Sequence, residues 1–103
     1  MKQPVKLLMS WNIRAGREEA YFDFITREFP ATLLHAGLHL TDAWYTIYGR
    51  NWPQAIMGFI SEDLETMRAF MTSDDWRNIR QKLLFYVQDY GQKVIAAQGG
   101  FQL

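Results

Sequence analysis

The chain has 103 residues and a mass of 12.1 kDa, room for a single domain over 1–103 built on one core. Hydrophobic residues make up 49% and charged residues 21%, a globular balance that excludes intrinsic disorder. Eleven basic and eleven acidic side chains cancel, so no net charge draws the protein to nucleic acid or anionic membrane. Cysteine is absent, which excludes a disulfide framework, a thiolate metal site and a thiol nucleophile.

The start, Met1-Lys2-Gln3-Pro4, leads into a Val5–Met9 run that Lys6 interrupts, too short for the apolar region of a signal peptide. No stretch approaches the roughly 18 consecutive apolar residues of a membrane helix. These features predict a soluble, cytoplasmic protein.

From Val5 to Ile13 the chain alternates. Val5, Leu7, Met9, Trp11 and Ile13 fall on one face and Lys6, Leu8, Ser10 and Asn12 on the other, which predicts a strand ending at Arg14-Ala15-Gly16. From Arg17 the period becomes helical, with Phe22, Ile25, Phe29, Leu33 and Ala36 at steps of three or four. Glu18 and Glu19 sit in the first turn, where carboxylates meet the positive end of the helix dipole. Pro30 removes a backbone donor and restricts Phe29, which predicts a kink or a new helical start, and Gly37 is placed as the stop. Leu38 to Gly49, with Trp44 to Tyr48 favouring extended backbone, reads as a second strand. Gly49 to Pro53 reads as a turn, and Ala55 to Ile60 as a third strand in an antiparallel hairpin with the second.

Ser61-Glu62-Asp63 predicts a helix start, followed by Leu64, Met67, Phe70 and Met71 on one face. Thr72 and Asp75 resemble a capping box for a second helix, on which Trp76, Ile79, Leu83, Val87 and Tyr90 recur at helical spacing up to Gly91. Lys93 to Ala97 reads as a fourth strand. Gly99-Gly100 leads into a short apolar end at Phe101 and Leu103.

The order strand, helix, strand, strand, helix, strand is the split βαβ pattern of the α+β ferredoxin-like fold (βαββαβ), a four-stranded antiparallel sheet with helices on one face. The uncovered face of such a sheet should be polar. Here the third strand is apolar on both sides, Ala55, Met57 and Phe59 against Ile56, Gly58 and Ile60. The second sets Leu40, Trp44 and Tyr48 against Ala43, Tyr45 and Ile47, and the fourth sets Val94 and Ala96 against Ile95 and Ala97. A second copy packed sheet to sheet is the simplest cover, so a homodimer through the sheet face is expected.

The element order, Gly16-Arg17-Glu18-Glu19 at the first helix, the Ala36-Gly37-Leu38 joint and Thr72-Ser73-Asp74-Asp75-Trp76 before the last helix together resemble the dimeric α+β barrel superfamily. Its members include antibiotic-biosynthesis monooxygenases, haem-degrading monooxygenases, NIPSNAP-like proteins and stress-responsive barrel proteins. The resemblance covers nearly the whole chain. It implies two sheets closing one barrel across a dimer, and a cavity in each subunit between helices and sheet.

In haem-degrading members an Asn, a Trp and a His line the haem pocket. Asn12 matches the Asn by its place at the end of the first strand, and Trp76 is a looser match. No histidine follows His39, which argues against haem degradation. Read from the residues alone, Trp76 is a core anchor and Asn12 a hydrogen-bonded strand end. Trp44, Tyr45, Tyr48 and Trp52 cluster around the second strand, where aromatics line either a cavity for a flat ligand or a core and dimer interface. Asp42 shares the Trp44 and Tyr48 face and would be a candidate base if buried there, although a solvated strand end is the plainer reading. His35 and His39 are separated by Gly37 and lack a third ligand, so no metal site is expected.

Ser10 and Ser73 have no His–Asp partners, Gly99 and Gly100 open no phosphate loop, and Arg77, Arg80 and Lys82 read as helix-surface charges. The candidate ligand-binding set is therefore Asn12, Asp42, Trp44, Tyr48 and Trp76, with no cofactor. The sequence points to a homodimer holding a small apolar or aromatic ligand, with no nucleic-acid or membrane partner. The alternative is a cofactor-free monooxygenase acting on an aromatic substrate, which the superfamily resemblance implies.

Overall fold

The computed structural model describes residues 3–49 and 51–97. The elements run β1 (Val5–Ile13), α1 (Glu18–Thr26), α2 (Glu28–His35), β2 (His39–Tyr45), β3 (Ala55–Ser61), α3 (Leu64–Met71), α4 (Asp74–Tyr86) and β4 (Val87–Ala96). The strands form one antiparallel sheet in the order β2-β3-β1-β4, the ferredoxin-like α+β arrangement expected. The apolar end expected at Gly99, Gly100, Phe101 and Leu103 lies outside the described residues. Among those described, no helix is long and apolar enough to cross a membrane.

Alternation in β1 becomes burial. Val5, Leu7, Met9, Trp11 and Ile13 all face the helices and are buried. They meet Phe29, Leu33 and Phe59 in one core that Met67, Phe70, Trp76, Ile79 and Leu83 close from α3 and α4. The helical segment breaks as Pro30 predicts, but three residues earlier, at Arg27. Pro30 then stands third in α2, where a backbone N–H has no intrahelical acceptor to lose. The restart also rotates the buried stripe. Tyr21, Phe24 and Ile25 face inward on α1, and Phe22, expected inside, is 43% exposed.

Gly37 ends α2 with φ +93°, a conformation that side chains with a Cβ resist. Its N–H donates to the Leu34 carbonyl and the Leu38 N–H to that of Leu33, both at 2.9 Å, a Schellman closure in which Leu33 and Leu38 are both fully buried. Asp63 caps α3 by accepting from the Thr66 N–H. At α4 the cap is Ser73 rather than Thr72, its Oγ accepting from the Trp76 N–H.

Two boundaries differ from the sequence reading. β2 stops at Tyr45 instead of Gly49. The helical pattern through Val87 and Tyr90 does not hold either: α4 ends at Tyr86 and β4 begins at once. There Val87 pairs with Ile13 and Gln88 with Asn12, while the Tyr86 carbonyl accepts from the Arg14 N–H at 2.9 Å. The free edge of β1 claims these residues because its buried polar groups need partners. A bulge follows, with Asp89 at φ 56°.

A second bulge decides which face β2 presents. Leu40 pairs with Phe59 and Asp42 with Gly58, so Thr41 is the extra residue. Leu40 therefore lies on the helix side, while Asp42 and Trp44 share the uncovered face with Gly58 and Ile56. That corrects the grouping of Leu40 with Trp44 and Tyr48. It also assigns Met57 and Phe59 to the core and Ile56, Gly58 and Ile60 to the uncovered face, beside Leu8 and Ile95.

Candidate functional site

The five residues singled out in the sequence do not meet in one place. Trp76 is 5% exposed and packs in the core, its ring centroid 5.3 Å from that of Phe70 and 6.5 Å from that of Phe29. Asn12 is a clamp. Its Nδ2 donates to the Asp89 carboxylate at 3.0 Å, and its Oδ1 accepts from the Gln54 N–H at 2.9 Å, tying the β4 bulge to the start of β3. Tyr48 lies past the end of β2, almost fully exposed.

Asp42 sits on the uncovered sheet face, where its Oδ2 pairs with Lys6 Nζ at 2.8 Å and accepts from the Thr41 hydroxyl at 3.0 Å. The bond from Lys6 holds this carboxyl below its usual range, against a smaller opposing effect of burial and with further help from Thr41 and the Lys6 charge. Gly58 leaves room for the pair, since a Cβ there would come within 2.7 Å of Asp42 Oδ2.

Trp44 alone of the five borders a cleft between helices and sheet, at its rim on the edge strand β2, although its register sets its side chain on the opposite face with Ile56. The cleft holds about 330 Å³ and opens between α1 and the β2–β3 hairpin. Tyr21, Phe22 and Ile25 form the helix wall, and Leu40, Tyr45 and Met57 stand on the sheet side. The Phe22 and Tyr45 rings meet edge to face at 5.9 Å. Among the described residues no Lys, Arg, His, Asp or Glu lines it. Tyr21 is buried, and its Oη accepts a 2.8 Å hydrogen bond from the Trp11 indole N–H. Burial raises the Tyr21 pKa, partly offset by that bond and reinforced by the nearby Tyr45 phenol.

Sequence reasoning missed Tyr21 and Phe22 as cleft residues because it drew one stripe through both halves of the broken helix. Tyr21, Phe24 and Ile25 carry a helical spacing of their own, the signal that was available.

A second hollow of about 410 Å³ lies on the uncovered sheet face, between Leu8, Ser10, Ile56 and Gly91 and the Trp52-Pro53 turn. Of the histidines, His35 closes α2 and His39 opens β2. Among the described residues no three His, Cys, Asp or Glu side chains are placed to hold a metal ion.

No protein-family model and no curated sequence matches the chain. Its fold does match solved structures. A NIPSNAP family protein from Agrobacterium tumefaciens str. C58 is 14% identical, with a TM-score of 0.70 over 98% of this chain and 91% of that one. An antibiotic biosynthesis monooxygenase-like protein from Nitrosomonas europaea is 7% identical, with a TM-score of 0.71 over 99% and 97%. A dimeric protein of unknown function and ferredoxin-like fold from Bacteroides fragilis NCTC 9343 is 8% identical, with a TM-score of 0.61 over 91% and 96%. The chain shares the fold of these proteins, as its resemblance to the α+β barrel superfamily implied. A shared fold does not carry a shared activity.

Proposed function

We propose that this chain works as a homodimer whose sheets pack face to face, and that each subunit holds a small apolar or aromatic molecule in the cleft between α1 and the β2–β3 hairpin. The cleft itself carries the reading. Its volume of about 330 Å³ falls in the range of small-molecule sites, and its described walls are mostly rings and aliphatic groups, with no formal charge among the described residues. Binding is favoured over catalysis because Asn12, Asp42 and Trp76 lie outside the cleft, which leaves the monooxygenase alternative without an assembled set of acid, base and orienting groups.

The dimer rests on the uncovered face. Leu8, Ile56, Ile60 and Ile95 are only partly buried there, and the turn beyond β2 carries Ile47, Tyr48 and Trp52, all largely exposed. A second copy would bury this surface, and the Bacteroides fragilis protein of the same fold is described as dimeric.

Two measurements test the reading. Native mass spectrometry should give twice 12.1 kDa, and Ile56→Asp should return the mass to 12.1 kDa by placing a carboxylate in the apolar face. A wild-type monomer would overturn the dimer. In NMR titration with 2-ethylnaphthalene, the amides of Phe22, Ile25, Ala43 and Met57 should shift, and Ala43→Trp, which fills the cleft, should abolish the response. Shifts confined to other residues, or none, would overturn the cleft as a binding site.

A further inference from the structure

Three of the residues that line the cleft carry a hydroxyl group, Tyr21, Thr26 and Tyr45. The Thr26 proton is already engaged, donated to the Phe22 carbonyl at 2.6 Å. Tyr45 is half exposed, so water can serve its phenol. Tyr21 differs from both. It is 2% exposed, and its oxygen accepts from Trp11 Nε1, which fixes the ring and leaves the phenol proton to be given elsewhere. Among the described residues that proton has no acceptor. A buried donor left unmet is costly, and a site built around one selects molecules that meet it.

We propose that Tyr21 is the hydrogen-bond donor of the cleft, and that the ligand is a flat apolar molecule bearing a neutral oxygen acceptor, such as an aryl ketone, a quinone or a related aromatic carbonyl compound. This rests on the cleft reading above and adds the chemistry of the ligand. Neutrality follows from the lining. With no cation among the described residues of the walls, a bound carboxylate or phosphate would lose its hydration and find only neutral hydroxyls in return. Burial raises the Tyr21 pKa, so the phenol keeps its proton at neutral pH and acts as a donor. The Trp11 indole orients that donor from within the core, because it occupies the lone pair on the inner side and is itself fully buried.

The test pairs two probes of similar shape, 2-acetylnaphthalene, which carries the ketone, and 2-ethylnaphthalene, which does not. Affinities are measured by NMR titration on the full chain, with the Trp11 indole N–H resonance as a local reporter. Wild type should bind the ketone roughly tenfold more tightly, the worth of one buried hydrogen bond. The ketone should also shift the Trp11 indole signal more than the hydrocarbon does. Tyr21→Phe should erase the preference while still binding 2-ethylnaphthalene. Equal wild-type affinities would overturn the donor assignment and leave the cleft reading intact. A preference that survives in Tyr21→Phe would move the donor elsewhere. Binding of neither probe to wild type would remove the cleft reading, and the assignment with it. The wild-type comparison needs no variant, so the proposal stays open to refutation even if Tyr21→Phe folds poorly.

Discussion

Replacing Trp76 separates a core role from a ligand-binding one. The indole is 5% exposed, so nearly all of a large aromatic surface is removed from water on folding. At about 25 cal/mol per Å² over the 150–250 Å² that an aromatic side chain buries, its transfer contributes about 4–6 kcal/mol, of which alanine would retain a small part. The rings of Phe70 and Phe29 lie at 5.3 and 6.5 Å and are held by the backbones of α3 and α2, so they cannot collapse fully into the space. Trp76→Ala should therefore cost about 3–5 kcal/mol, a large share of the roughly 5–15 kcal/mol available to such a domain. Trp76→Phe, which keeps a ring in place, should cost visibly less. Urea unfolding followed by far-UV circular dichroism gives the loss of stability, and titration of the folded Trp76→Phe variant with 2-ethylnaphthalene gives the effect on binding. Core packing requires a large stability loss with unchanged affinity. A stability loss below about 1 kcal/mol together with a collapse in affinity would refute the reasoning and return Trp76 to the site.

Asn12→Ala should cost about 1–2 kcal/mol by leaving the Gln54 N–H without its acceptor, and should speed hydrogen exchange at that amide while the 2-ethylnaphthalene affinity stays unchanged. Unchanged exchange at Gln54 would show that the clamp does not hold in solution. Asp42 has its carboxyl held below the usual carboxylate range, chiefly by the hydrogen bond from Lys6, so its contribution to stability is present above the ordinary value and fades as pH falls through the lowered one. The stability gap between wild type and Asp42→Asn should therefore be present at pH 7 and shrink on acidification below about pH 4. It should be modest, because the carboxylate is partly exposed. A gap that is flat with pH would mean that Lys6 and Asp42 do not pair.

Much of the fold was legible in residues that answer to near neighbours. Alternation from Val5 to Ile13 places every second side chain on one face whatever lies beyond, and those five residues are the ones buried. The helical restart near Pro30 and the stop at Gly37 follow from proline's missing donor and glycine's access to φ +93°. The site was less legible. Trp76 and Asn12 have the right chemistry for a pocket, but the interior uses one as filling and the other as a clamp.

Taken by itself, then, the sequence determines the order of elements, the inward face of β1 and the apolar character of both sheet faces, because each depends on spacing within a few residues. Tertiary structure decides the rest. Leu83, Val87 and Tyr90 keep helical spacing, yet α4 yields to β4 at Val87 because Asn12 and Ile13 on the edge of β1 need backbone partners. The bulge at Thr41 sends Asp42 and Trp44 to one side and Leu40 to the other, a choice made by pairing with β3. The Tyr21 phenol is oriented because Trp11, a strand residue ten positions earlier, donates to its oxygen across the core. A contact of that kind forms only when two faces, each prepared by its own local pattern, are packed together.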